Sequence, residues 1–277
     1  MEEIISRDNQ YIKLLASLQQ PKRRRETGLT IIEGVRATEE ALRSGADIEF
    51  ALIEQMLADQ TRVGQVIDGL KLRGVKVFSV SAPLLARAAA TEHSQGVVLA
   101  VRYPVDAYQK ISDSKCDFLL IADGISDPGN LGTIIRTAEA TAVDGLILTG
   151  NCTDWTSPKV MRAAMGAALR LPIWVADEQE ALSLCRSRQV RLFMTSTDAK
   201  QIYWQEQLIK PHAYILGAEA YGVGDFWRAA ADAAIMLPMA QISESINVAA
   251  AAAVLLYQTL QQRYDIECNY RAMGEEN

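Results

Sequence analysis

The sequence predicts an α/β chain of two successive units, each a sheet flanked by helices. Three observations predict it. Short β-rich runs alternate with helical periods along the whole length, the pattern of a mainly parallel sheet covered on both faces. The 277 residues are long for one domain and comfortable for two. A polar stretch with Pro104 and no periodicity, 104–115, separates the two runs of alternation and reads as a linker. The units are therefore 1–103 and 116–277.

In the first unit, 9–18 reads as a helix and 29–34 (LTIIEG) as a strand. The next helix is 35–44, with Gly45 in the stop position, where a left-handed residue closes a helix. A strand at 48–53, a helix at 63–73 closed by Gly74, a strand at 75–80, a helix at 83–90 and a strand at 96–101 complete it. In the second unit 118–122 (FLLIA) is a continuous apolar strand, 131–142 a helix, 145–149 a strand and 158–168 a helix. Strands follow at 192–195, 214–216 and 234–237, and a long Ala-rich helix at 245–264. Ligands in such folds bind at the carboxyl ends of strands, which singles out the loops after Ala122, Leu216 and Leu237.

Composition excludes several classes. Hydrophobic residues make up 49% and charged residues 22%, as in an ordinary globular protein. The most apolar run, 248–256, is about half the ~20 residues a membrane span needs. The acidic, polar start MEEIISRDNQ does not read as a signal peptide, so the expectation is a cytoplasmic protein without a membrane partner. Four scattered cysteines and two histidines supply no close ligand pair, so no metal is expected. His93 reads as a turn or packing residue. The net charge is −6, yet seven Lys/Arg against three Asp/Glu lie between Arg7 and Arg36, including Lys22, Arg23, Arg24 and Arg25. From Thr156 to Arg170 there are three basic residues, Lys159 and Arg162 among them, and no acidic one. Local patches of this kind neutralise phosphates, although the 22–25 run also reads as a solvated loop.

Each loop carries unusual residues. In the first, Pro128-Gly129-Asn130 turns strand into helix, with Asn130 as N-cap and Arg136 inside the helix. Arg136 also reads as a surface arginine with its stem on the sheet. In the second, Gly217, Gly222 and Gly224 follow a strand, but the spacing is neither a dinucleotide fingerprint nor a triphosphate loop. Glu219 there suits either a ligand contact or a helix cap. In the third, Ser245 and Asn247 fall in the first turn of the Ala-rich helix, where an amide competes with the backbone unless it has another task.

Taken in order, the three loops resemble the three motifs of the SpoU/TrmH family of RNA ribose methyltransferases, within the SPOUT superfamily. The residues are Asp127, Pro128, Asn130, Gly132 and Arg136; then Gly217, Glu219 and Gly222; then Pro238, Met239, Ser245, Ile246, Asn247 and Val248. The stretch Ser157-Pro158-Lys159 with Arg162 and Gly166 is similar too. The likeness spans 118–257. It departs from the family where Gln241 replaces a common Gly, Ala249 a Ser and Ile246 a Leu, which bears on target choice. The first unit resembles the ribosomal-protein-like RNA-binding domain often attached to this family, at Asn9, Lys13, Ile32-Glu33-Gly34 and His93-Ser94-Gln95-Gly96.

The resemblance implies a C-terminal trefoil knot, which periodicity could not reveal, and a homodimer in which helix 245–264 is a contact surface. It implies S-adenosylmethionine as methyl donor and RNA, ribosomal RNA first, as substrate. Arg136 would be central, with Asn130, Glu219, Ser245 and Asn247 around the reacting ribose. The donor would be held by Thr195, Ser196, Gly217, Glu219, Gly222, Leu237, Met239, Ser245 and Ile246. Lys22, Arg23, Arg24, Arg25, Arg36, Lys159 and Arg162 would meet RNA. The rival readings are a transfer-RNA methylase, an RNA-binding protein without catalysis and, more distantly, a nucleotide-dependent oxidoreductase.

Overall fold

The computed structural model describes residues 1–58, 60–90, 95–240 and 245–274, with side chains described as far as 264. Contacts divide the chain into two compact units, Met1–Val105 with Asp154–Arg170, and Asp106–Thr153 with Leu171–Asn277.

The first unit runs β1 (Glu2–Ile4), α1 (Gln10–Ser17), α2 (Pro21–Thr27), β2 (Leu29–Glu33), α3 (Val35–Arg43), β3 (Asp47–Glu54), α4 (Thr61–Leu72), β4 (Lys76–Val80), α5 (Ala82–Ala88) and β5 (Val97–Arg102). Its sheet has the order β1-β4-β3-β5-β2. The expectation of a mainly parallel sheet needs correction here. β1, β4 and β3 are parallel, but β5 runs antiparallel to both of its neighbours, β3 and β2. Alternating strands and helices do not fix direction, because a helical connection can also return a strand reversed. Ile12 and Leu15 of α1 pack with Phe50, Leu52 and Phe78 of the sheet in one core, and Tyr11 stacks on Phe78. Asn9 caps α1 by accepting from the Tyr11 N–H.

The second unit opens with α6 (Ala107–Asp113), β6 (Phe118–Asp123), α7 (Pro128–Ala140) and β7 (Gly145–Thr149). The intervening 154–170, which carries α8 (Pro158–Ala164) and a 3-10 turn at Ala167–Leu169, groups with the first unit, where α8 lies against β2. The helix expected over 158–168 stops at Ala164 because Met165 is left-handed, at φ 50°. The rest is β8 (Ile173–Val175), α9 (Glu178–Ser187), β9 (Arg191–Thr195), β10 (Gln201–Ile202), β11 (His212–Leu216), α10 (Asp225–Ala230), β12 (Ala233–Met236) and α11 (Val248–Gly274). α6 stands in the stretch read as a linker and buries Ala107 and Ile111.

The second sheet has the order β10-β12-β9-β11-β6-β7-β8, with every pairing parallel. β6, β7 and β11 are buried at every position, which is why they are apolar but for Asp123, Thr149 and His212 at their ends. Trp227 of α10 and Ala181, Leu184 and Cys185 of α9 close one face over Ile121, Ile147, Leu192 and Ile215. α11 buries Ala249, Ala252, Leu255, Leu256 and Thr259, spaced at helical intervals, and packs on α7. Among the described residues no helix is long and apolar enough to cross a membrane.

Candidate active site

The first motif begins where β6 ends. Asp127, not Asn130, caps α7: its carboxylate accepts from the Asn130 N–H at 2.7 Å, and Pro128 takes the first helical position, where no N–H is needed. The cap expected of Asn130 is thus corrected, and its side chain is released for other work. Its Nδ2 donates to Glu219 Oε1 at 2.8 Å, and its Oδ1 accepts from Asn247 Nδ2 at 2.9 Å.

Asn247 closes this chain of bonds on α11. That helix starts at Val248, three residues later than expected, and Asn247 caps it. Its Oδ1 accepts from the N–H groups of Ala249 at 2.9 Å and Ala250 at 3.3 Å. The amide therefore has one orientation. Oxygen faces the helix, so nitrogen must face Asn130, whose own nitrogen must then face the Glu219 carboxylate. All three motifs are joined by these bonds.

In the second motif the chain doubles back on itself. A Cβ on Gly217 would lie 2.0 Å from the Gly222 carbonyl carbon, so only glycine allows the two backbone segments to touch. The Gly222 N–H donates to the Ala218 carbonyl at 2.8 Å, and Gly222 itself is left-handed at φ 68°. Asp123, 6% exposed, anchors the far side of the loop. It accepts from the Gly224 N–H at 3.0 Å and from Thr149 Oγ1 at 3.1 Å, and Thr149 in turn accepts from Trp227 Nε1 at 3.1 Å.

At the carboxyl ends of β9, β11 and β12 these loops enclose a cavity of about 540 Å³. Thr195, Ser196, Gly217, Glu219, Gly222, Leu237, Met239, Ser245 and Ile246 all line it, as does Asn247. Asn130 and Arg136 do not. Asn130 is one hydrogen bond behind Glu219 and Asn247. Arg136 is exposed on α7, with no hydrogen bond or ion pair among the described residues. Thr197, Asp198, Tyr221 and Arg228 also line the cavity, and sequence reasoning missed them. The first three flank residues already singled out; Arg228 sits on a helix that the sequence did not reveal. Among the described residues no group of His, Cys, Asp and Glu could hold a metal ion.

The basic run 22–25 is not a loop but most of helix α2, and its members differ. Arg24, expected among the RNA contacts, is 1% exposed and is withdrawn from that set. Its guanidinium bonds the carbonyls of Leu18 and Gln19, Thr156 Oγ1 and the Asp154 carboxylate, the last at 2.6 Å. Burial pushes the Asp154 carboxyl up, but bonds from Thr156 and Arg24 outweigh it and hold the group below the usual carboxylate range. Lys22, Arg23 and Arg25 are exposed, Arg23 bonding Glu26 along the helix. Arg36 and Lys159 are exposed, and Arg162 lies 3.6 Å from Glu33. His93, Ser94 and Gln241 lie outside the described residues.

Residues 117–257 match the SpoU rRNA Methylase family, just over half of the chain. The chain belongs to the SpoU rRNA methylase family. Residues 9–99 match the MRM3-like substrate binding domain. A Synechocystis protein described as an uncharacterized tRNA/rRNA methyltransferase is 32% identical, over 94% of each chain. The 23S rRNA (guanosine(2553)-2′-O)-methyltransferase RlmP of Bacillus subtilis is 28% identical over 93% of this chain and 98% of its own. The crystal structure of an RNA 2′-O ribose methyltransferase superposes with a TM-score of 0.81 at 31% identity, covering 95% of this chain and 99% of the other. An AdoMet-bound rRNA methyltransferase from Sinorhizobium meliloti does so with a TM-score of 0.80 at 28% identity, covering 94% and 97%.

Proposed function

We propose that this SpoU-family chain transfers a methyl group from S-adenosylmethionine to a ribose 2′-hydroxyl of ribosomal RNA. One observation carries the reading. The residues that the family resemblance assigns to the donor, spread from Thr195 to Ile246, line one cavity, and a hydrogen-bond chain from Asn247 through Asn130 to Glu219 joins its wall to the first motif. The relatives named as 23S rRNA methyltransferases point to the same substrate class.

The cavity fits the donor. Its size is that of a small-molecule site. Leu216, Ile235, Leu237 and Met239 offer apolar wall, Gly217 and Gly222 bare backbone, and Asp198, Glu219 and Arg228 the charges. S-adenosylmethionine, when bound, supplies a methyl group made electrophilic by its sulfonium.

The remaining chemistry falls to the chain. A ribose hydroxyl is a weak acid, so the negative charge growing on its oxygen must be met as the proton leaves. Arg136 is assigned that task and a hold on the target phosphate. A guanidinium keeps its proton, so Arg136 acts as an electrostatic stabiliser and not as the base, and the hydroxyl proton passes to solvent water. Asn130, Glu219, Ser245 and Asn247 orient the ribose and the donor loop. Exposed Lys22, Arg23, Arg25, Arg36, Lys159 and Arg162 meet RNA phosphates. In this reading, the first unit selects the RNA and the second performs the transfer. The knot implied by the family likeness belongs to the same proposal, as does a cytoplasmic setting, where ribosomal RNA is met.

A homodimer is part of the reading. Val254, Tyr257 and Tyr264 of α11 are 39%, 54% and 63% exposed and recur at helical spacing with Ala250, an apolar stripe suited to a second copy.

The test is transfer of labelled methyl to ribosomal RNA from cells lacking the protein, with the product mapped by mass spectrometry. One 2′-O-methylated nucleotide is the expected result. Label on a base, or none on any ribosomal RNA while transfer RNA is labelled, would refute the assignment. Donor binding without any transfer would favour an RNA-binding protein.

A further inference from the structure

Arg228 is the fourth residue of α10 and lines the cavity. Its Nε donates to the Val223 carbonyl at 2.7 Å, which fixes the guanidinium against the loop of the second motif. A Cβ on Gly222 would stand 3.5 Å from its Nη2. Neither Nη nitrogen has a hydrogen bond or ion pair among the described residues. The side chain is therefore held at one nitrogen and open at two.

The charges of the cavity wall have a pattern. Among the described lining residues Arg228 is the only Lys, Arg or His, and Asp198 and Glu219 are the only carboxylates. S-adenosylmethionine has the opposite set: one carboxylate, with an ammonium and a sulfonium. A guanidinium with two free N–H-bearing nitrogens matches a carboxylate in geometry as well as sign, and a pre-anchored one loses little freedom on binding.

We propose that Arg228 is the residue that recognises the carboxylate at the methionyl end of the donor. The inference rests on the donor reading above and assigns a cofactor contact that the three motifs do not contain. Arg228 is a binding residue in this account and takes no part in moving the methyl group.

The experiment is calorimetric titration of the full chain with S-adenosylmethionine and with its decarboxylated form, which lacks only that carboxylate. The wild type is expected to bind the decarboxylated form about tenfold or more weakly. R228Q should lose about the same factor for S-adenosylmethionine and show no change for the decarboxylated form, with R228K between. Equal wild-type affinity for the two ligands overturns the inference and leaves the donor reading intact. So does equal weakening of both ligands in a folded R228Q. A wild type that binds neither removes the donor reading and this inference together.

Discussion

The side-chain nitrogen of Asn247 donates to the side-chain oxygen of Asn130 at 2.9 Å, across 117 positions of sequence. Neither amide can be reversed without loss. Turning Asn247 would set its NH₂ against the N–H groups of Ala249 and Ala250. Turning Asn130 would set oxygen against the Glu219 carboxylate. The start of α11 thus fixes the direction in which the first motif addresses the second.

Asn247→Asp separates the two tasks of this residue. Aspartate caps a helix as well as asparagine does, so the melting temperature should stay close to wild type. It presents oxygen to Asn130 Oδ1, so Asn130 must turn and abandon Glu219. Methyl transfer should fall by about tenfold or more. Asn247→Ala should lose the cap as well, at a cost of about 1 kcal/mol in stability. Single-turnover assays beside thermal melts check both, and an Asn247→Asp variant of undiminished activity would refute the orienting role.

Gly217→Val should abolish donor binding. Its Cβ would fall 2.0 Å from the backbone of Gly222, so the loop must open, and the cavity wall opens with it. Titration with S-adenosylmethionine is expected to give no saturable heat. Binding at wild-type strength would show that this turn does not shape the donor site.

Arg136→Ala should separate binding from transfer in the other direction. Arg136 does not line the cavity, so donor affinity should remain within about twofold of wild type. Transfer should drop on the order of 100-fold or more, as when one stabilising donor is lost from a reacting centre. Full activity in Arg136→Ala would remove this residue from the mechanism, whether as base or as stabiliser.

Arg24 and Arg25 are adjacent and should behave in opposite ways. Arg24→Ala leaves the half-buried Asp154 carboxylate unpaired and should destabilise the protein by about 3 kcal/mol. Arg25→Ala should leave stability within about 0.5 kcal/mol and weaken RNA binding in a salt-dependent way. Denaturant melts and filter binding at two salt concentrations check the pair.

The run 22–25 also shows where sequence reasoning stops. Four cations in a row look equivalent, and only helical spacing turns one of them inward. Apart from the short edge strands β8 and β10, the second sheet was legible because strands buried inside a sheet are mainly apolar, and 145–149 was read with its observed bounds. α9 was not, since only Ala181, Leu184 and Cys185 of its ten residues are buried among polar ones. α10, six residues long, is too short to display a period, and Arg228 was hidden with it. The reversal of β5 left no trace in the sequence, because direction is not a property of composition. The loops that line the cavity were legible as strand ends carrying glycine, asparagine and glutamate, but the lining set itself came from the resemblance of three motifs taken in order, since Thr195, Ser196, Leu237 and Met239 are unremarkable where they stand.

His212 gives the second unit a pH dependence. The ring is 1% exposed at the start of β11. Its Nδ1–H donates to the Lys210 carbonyl at 2.9 Å, so Nε2 must accept, from Thr259 Oγ1 of α11 at 3.1 Å. That hydroxyl oxygen also takes the Tyr214 O–H at 3.0 Å. Burial pushes the ring's pKa down to about 4; the Lys210 carbonyl opposes the shift and Arg263 adds to it. Above about pH 6.5 the ring is neutral in both folded and unfolded chains and adds no pH dependence. From there down to about pH 4 the unfolded chain takes a proton that the folded one refuses, so stability falls as pH falls. The slope is about 1.4 kcal/mol per pH unit, or about 2 kcal/mol between pH 6.5 and 5. His212→Gln should be less stable at pH 7, and its deficit relative to wild type should shrink by that amount at pH 5. Urea melts of both proteins at the two values measure this, and parallel pH profiles would mean that the ring is protonated inside the fold.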